Sequence, residues 1–155
     1  MKVRIVALGH RMPAWVDAGC NEYSRRMPPA YPLELVELKP ESRDRGKPVA
    51  QLLAAEAIRV AAACRGAQVV ALDERGQAWT TRRLAEALSR WRDLSTDVAF
   101  VIGSSDGLAD EVKEGAAAVV AISALTLPHG LVRIVLAEQH YRAASLLAGH
   151  PYHRE

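Results

Sequence analysis

The last six residues, His150-Pro151-Tyr152-His153-Arg154-Glu155, hold an unusual density of reactive side chains. Two imidazoles three positions apart suggest a metal pair, yet no third ligand cluster and no supporting cysteine stands nearby, so no metal is expected. The same residues suit a nucleic acid. Tyr152 can stack on a base, Arg154 can meet a phosphate, and His153 can hydrogen-bond or accept a proton. The plainer reading is a chain end that frays.

Two upstream stretches carry a second kind of chemistry. Val101-Ile102-Gly103-Ser104-Ser105-Asp106-Gly107 is an apolar strand breaking into a glycine loop. Open α/β sheets bind ligands at such strand ends, where glycine permits close backbone approach and positive φ. The spacing is neither Gly-x-Gly-x-x-Gly nor a P-loop with its lysine, so an ordinary strand-to-helix turn explains it equally well. Ile122-Ser123-Ala124-Leu125-Thr126-Leu127-Pro128-His129 offers small and hydroxyl residues that can line a pocket, stiffened by proline. Taken alone, it reads more simply as a loop entering a helix.

Other candidates read as structure. His10 and His140 fit core or surface positions, and Arg25-Arg26 and Arg82-Arg83 fit solvated helix faces. Glu138 and Arg142 stand four apart, the spacing of a helical ion pair worth a few tenths of a kcal/mol. Cys20 and Cys64, the two cysteines, fall in apolar-periodic stretches and read as reduced core thiols.

Short β-like runs alternating with longer helical ones must position these groups, which implies an α/β fold with a mostly parallel sheet and helices on both faces. Strands are expected at Val3 to Leu8, Leu33 to Leu38, Ala67 to Leu72 and Val98 to Ile102, with a possible fifth at Ala116 to Ile122. Val16, Cys20, Tyr23 and Met27 mark one face of a helix over Ala14 to Met27, stopped by Pro28, Pro29 and Pro32. Lys39 to Lys47 is a polar loop carrying Lys39, Arg43, Arg45 and Lys47. Pro48 opens a second helix that breaks at Gly66. Asp73 to Trp79 reads as a turn around Gly76, and Thr80 or Thr81 caps the helix through Leu84, Leu88 and Trp91. The final helix, Leu131 to Leu147, is apolar nearly all round in its first turns, so it needs cover on more than one side. A second subunit is the natural source.

With 155 residues, half of them apolar and a quarter charged, the chain fits a single globular domain over residues 1–155. No apolar run approaches the roughly 18 to 20 residues that span a bilayer. The apolar opening is too short for a signal peptide, so a cytoplasmic location is expected. A net charge of +2 neither demands nor forbids nucleic acid.

The order of the motifs is more specific than any one of them. A strand ending in Ile-Gly-x-x-x-Gly is followed by Ser-Ala-Leu-Thr-Leu-Pro-His, by Leu-Val-Arg with Glu138 and Tyr141-Arg142, and by the terminal His-Pro-Tyr-His-Arg-Glu. In this the chain resembles the RlmH family, SPOUT-class methyltransferases that act on N3 of a pseudouridine in 23S ribosomal RNA. Met12-Pro13-x-Trp15, Glu22-Tyr23 with Arg25-Arg26, and Leu72-Asp73 extend the resemblance over essentially the whole chain.

The resemblance implies a C-terminal trefoil knot, a homodimer and S-adenosylmethionine as methyl donor. It implies that Leu72, Gly103, Ile122, Ser123, Ala124, Leu125, Thr126 and Leu127 hold the donor. It places Glu138, Arg142, Tyr152 and His153 in the catalytic group and Arg25, Arg26, His129 and Arg154 against RNA of the large subunit, within the assembled ribosome. The chain departs from the family pattern at one place: Gly-Gly-Pro/Ala-Glu-Gly is replaced by Gly103-Ser104-Ser105-Asp106-Gly107, which fits if Ser104 keeps a negative φ. Methyl transfer from a sulfonium leaves a neutral group and needs no metal. It does need N3 to lose its proton, which points to His153 or Tyr152 near the base and to Arg142 or Arg154 on phosphate or the charged ring. A different RNA target, a non-catalytic RNA-binding dimer and a flavodoxin-like nucleotide module are the alternatives.

Overall fold

A computed structural model describes residues 1–44 and 46–154; Arg45 of the polar loop and Glu155 of the tail lie outside the described residues. The strands alternate apolar side chains to both faces, as a sheet covered on each side requires. In β1 (Val3–Leu8), Val3, Ile5 and Ala7 enter one core while Val6 and Leu8 enter the other. In β4 (Asp97–Ile102), Val98, Phe100 and Ile102 join the first and Ala99 and Val101 the second. With β2 (Leu33–Leu38), β3 (Ala67–Ala78) and β5 (Ala118–Ala121) they form a five-stranded sheet, ordered β2-β1-β4-β3-β5, with every pairing parallel.

Helices cover both faces. α1 (Ala14–Ser24), α3 (Thr81–Asp93) and α5 (His129–Leu147) share the larger core, α5 packing against both of the others. α2 (Val49–Ala63) and the single turn α4 (Asp110–Glu114) cover the smaller one. Thr80 caps α3 by accepting a hydrogen bond from the Arg83 amide at 3.1 Å. Pro48 and Pro128 precede the first residues of α2 and α5, where a missing N–H costs nothing. Cys20 and Cys64 are buried and unpaired, and burial raises both thiols, Cys64 to about 11.

Several boundaries differ from expectation. α1 ends at Ser24, not Met27, because Arg25 to Met27 turn ahead of the prolines. β3 does not stop at Leu72. Leu72 and Gln77 both pair with Val120, so Asp73 to Gly76 bulge out and the strand resumes to Ala78. Gly76 makes this possible: a Cβ there would lie 2.7 Å from the Val120 backbone. β5 is confined to Ala118–Ala121, and α5 starts at His129, two residues early. The tail does not fray; Pro151–Arg154 form a 3-10 turn packed on α5. Among the described residues, no helix is long and apolar enough to cross a membrane.

A candidate donor cleft and a tail cluster

The carboxyl ends of β3, β4 and β5 converge on a cleft of about 650 Å3, within the roughly 300 to 1,000 Å3 usual for small-molecule sites. Leu72 closes the first limb of β3, Ile102 ends β4, and the segment after β5 crosses the opening. Leu72, Gly103, Ile122, Ser123, Leu125, Thr126 and Leu127, all expected from sequence, line this one cleft. Ala124 is not among its lining residues.

Local geometry explains the floor. The amide of Gly107 donates to the Ser104 carbonyl at 2.9 Å, making a tight turn with Gly107 at φ +81°. A Cβ on Gly103 would sit 2.5 Å from the Gly107 carbonyl carbon, so the turn closes only around glycine. Ser104 is not among the residues with positive φ, so the serine is accommodated without strain. The Leu125 amide donates to Ser123 Oγ at 2.9 Å, holding the opposite wall.

His129, the first residue of α5, joins this cleft and not the tail. Its Nδ1 lies 3.0 Å from the Gly103 carbonyl, an acceptor, so Nδ1 carries the proton and Nε2 is left bare. Burial, then the Arg133 guanidinium, holds this imidazole below its ordinary value, and it is neutral at pH 7. One turn further on, Arg133 is wholly buried, donating to Glu37 Oε2 at 2.7 Å and to the Gly9 carbonyl at 2.8 Å. It ties α5 to the ends of β1 and β2.

Composition and periodicity gave no notice of the cleft's charged rim. Asp73, Glu74 and Arg75 occupy the β3 bulge, and Lys113 reaches Asp73 Oδ2 at 3.4 Å. The sequence clue was there: an acid-rich triplet immediately after an uninterrupted apolar strand, where such sheets bind ligands.

The second group lies beyond the middle of α5. Glu138 Oε1 accepts from Arg142 Nε at 2.8 Å and from the Tyr152 hydroxyl at 3.0 Å. The Arg142 guanidinium lies over the Tyr152 ring, 4.9 Å from its centroid. Burial, then the hydrogen bond to Glu138, pushes the Tyr152 hydroxyl well above its ordinary value, so it stays protonated. His153 Nδ1 hydrogen-bonds to the His150 carbonyl, while His150 Nδ1 accepts from the Tyr152 amide at 3.2 Å. A carbonyl accepts, so the neutral tautomer that this bond selects has its proton on Nδ1 and its lone pair on Nε2. Arg154 is exposed beside it.

Arg25 and Arg26 reach the same face. Both pair with Glu22, and Arg26 stands over the rings of Tyr23 and Tyr141, 5.7 and 5.9 Å from their centroids. Tyr141 packs against Tyr152 with the rings tilted at 59° and centroids 4.6 Å apart. Arg26, in the turn after α1, and the aromatic tail thus form one surface of cation and π-faces.

Residues 1–153 match the sequence model of the family described as "Predicted SPOUT methyltransferase". The chain belongs to the SPOUT methyltransferase family. The family's fold carries the trefoil knot expected from the resemblance. The chain is 54% identical over 155 residues to the ribosomal RNA large subunit methyltransferase H of Nitrosospira multiformis (strain ATCC 25196 / NCIMB 11849 / C 71), covering 99% of both chains. It is 52% identical to the protein of that name from Burkholderia ambifaria (strain MC40-6) and 53% identical to that of Burkholderia mallei (strain SAVP1), again over 99% of each chain.

Proposed function

We propose that the chain is an S-adenosylmethionine-dependent methyltransferase of large-subunit ribosomal RNA, acting on N3 of a pseudouridine as a single-domain homodimer in the cytoplasm. The observation that carries this reading is the convergence of three separate sequence segments on one cleft at the sheet's carboxyl edge, in a SPOUT chain with full-length similarity to large-subunit RNA methyltransferases.

The cleft suits the donor. It combines apolar walls from Leu72, Ile102 and Leu127 with the hydroxyls of Ser123 and Thr126 and the carboxylate of Asp73. An adenosine joined to a zwitterionic amino acid asks for that mixture. When bound, the donor supplies a methyl group made electrophilic by its sulfonium.

The protein's own residues then have two tasks. The first is alignment, which can supply roughly 7 to 11 kcal/mol of a barrier when two reactants are held in attack geometry. The second is removal of the N3 proton. Tyr152 is already a donor to Glu138, which favours His153 Nε2 as the acceptor and leaves Tyr152 to stack and orient. Arg154, Arg142, Arg25 and Arg26 supply the cationic surface for phosphate, and Glu138 sets the positions of Arg142 and Tyr152.

Distance supports the dimer. Glu138 is nine residues after His129 on α5, a rise of about 13 Å, so the tail of one protomer lies far from its own cleft. A second copy can bring its tail to the cleft, and apolar Leu131 of α5 and Trp15 of α1, which lies near Gly130, are both exposed. The modest net charge fits a shaped ribosomal substrate better than bare RNA.

The test is methyl transfer from labelled S-adenosylmethionine to ribosomes from cells lacking the endogenous enzyme, with mass spectrometry of the modified nucleoside. Label in N3-methylpseudouridine of large-subunit RNA is the expected result. Label in another nucleoside or RNA, or none despite donor binding, overturns the assigned target.

A further inference from the structure

The donor loop is held from behind by a charged group that the reaction does not use. Glu56, on α2, has a side chain only 1% exposed, an unusual place for a carboxylate. Its Oε1 accepts from Ser104 Oγ at 2.8 Å, and its Oε2 accepts from Arg43 Nη1 at 2.8 Å and from the Glu41 amide at 2.9 Å. Arg43 spreads over the same loop. Its Nη2 donates to Ser104 Oγ at 2.8 Å and to Asp106 Oδ2 at 3.1 Å, and its Nε donates to Asp106 Oδ2 at 3.2 Å. A further bond from Nη1 to the Glu41 carbonyl at 2.7 Å fixes the guanidinium to its own segment.

We infer that Arg43, anchored on buried Glu56, is a positioning residue for the methyl donor: it grips Ser104 and Asp106 and so sets the conformation of the Gly103–Gly107 floor of the cleft. This rests on the reading of that cleft as the donor site. Ser104 and Asp106 line the cleft, while Arg43 and Glu56 do not, so the pair acts through the loop. The two gripped side chains stand at two of the three positions, 104 to 106, where this chain departs from the glycine-rich pattern. A glycine at 104 would have no hydroxyl to offer either Glu56 or Arg43. The Ser104 hydroxyl therefore adds a side-chain restraint between this loop, Arg43 and α2 that a glycine at 104 could not make.

The geometry also requires arginine. One planar group donates in two directions, to Glu56 through Nη1 and to Asp106 through Nε and Nη2. A lysine ammonium keeps the charge but cannot span these acceptors together.

The test measures S-adenosylmethionine affinity by calorimetry and turnover at saturating donor for the full chain. Arg43→Ala and Arg43→Lys should each weaken donor binding about tenfold or more, the scale of a lost charge-assisted hydrogen bond. Turnover at saturation should change by less than about threefold, since the reacting groups are untouched. Ser104→Ala leaves buried Glu56 paired with Arg43 and the Glu41 amide, so it tests the grip at a smaller cost to folding, which the thermal midpoint reads separately. It should weaken donor binding in the same direction and add little in the Arg43→Ala background. Arg59→Ala breaks the neighbouring pair with Glu41 on the same segment and should leave donor affinity unchanged. Amide exchange at 103–107 should quicken in Arg43→Lys. Wild-type donor affinity retained in Arg43→Lys and Ser104→Ala overturns the inference while leaving the donor cleft intact. Failure of the wild-type protein to bind the donor overturns both.

Discussion

The Tyr152 hydroxyl donates to Glu138 Oε1 at 3.0 Å, the same oxygen that receives Arg142 Nε at 2.8 Å. One carboxylate oxygen on α5 thereby seats both the tail and the arginine that covers the tail's ring. Tyr152→Phe removes the first bond and keeps the ring. It should lower turnover by about tenfold, the scale of one hydrogen bond to a charged group, with donor affinity unchanged. Steady-state turnover and calorimetry on the same variant check the split.

His153→Ala should cut turnover by roughly 10²- to 10⁴-fold, the range for loss of a general base, while donor binding stays within a factor of two. Single-turnover methyl transfer at saturating ribosome separates chemistry from binding. Parallel losses in both would remove His153 from the proton-transfer role.

Gly103→Ala puts a methyl group against the Gly107 carbonyl, whose carbon would be 2.5 Å away. Backbone at both ends of the turn must shift, at about 1 to 3 kcal/mol. A lower thermal midpoint together with lost donor binding is expected. A variant with full donor affinity would show that the floor does not depend on this turn.

His140 supplies a pH dependence. Burial holds its imidazole down to about 4, against an ordinary 6.5, although Nδ1 hydrogen-bonds to the Leu136 carbonyl at 2.7 Å. The unfolded chain therefore binds a proton that the folded one refuses. This part of the stability is complete above pH 6.5 and declines as pH falls from 6.5 toward 4, by on the order of 3 kcal/mol. Urea unfolding between pH 7.5 and about 5 should show the slope, and His140→Gln should flatten it.

Much of this was legible in the residues. β2 alternates Leu and Glu between turn signals, so its limits, Leu33–Leu38, were evident, and Pro48 marked the start of α2. The cleft's walls were legible as an apolar strand meeting glycine and as a hydroxyl-bearing loop before a proline. The continuation of β3 was not. Asp73 to Ala78 is polar, and its pairing depends on Gly76 meeting the Val120 backbone some forty residues later. Buried charge was equally silent. Arg133 sits in an apolar helix and Glu56 in an alanine-rich one, and each reads as a solvated residue until its distant partner is known. The resemblance sets His129 with Arg154 against RNA, yet His129 closes the cleft while the tail packs on Glu138 and Arg142 further along α5. The knot leaves no local trace, because threading changes neither period nor propensity.

α5 also works as a ruler. His129 closes the cleft at its first residue, Arg133 bolts it to the strand ends, and Glu138 and Arg142 seat the tail further along. After Gly130 the helix contains no glycine or proline through Leu147, so it offers no point of give. Each residue inserted between Arg133 and Glu138 would turn the far end by about 100° and move it about 1.5 Å. The separation between the candidate donor cleft and the tail is therefore counted out in helical residues, and substitutions on α5 away from these contacts are tolerable where a change in its length is not.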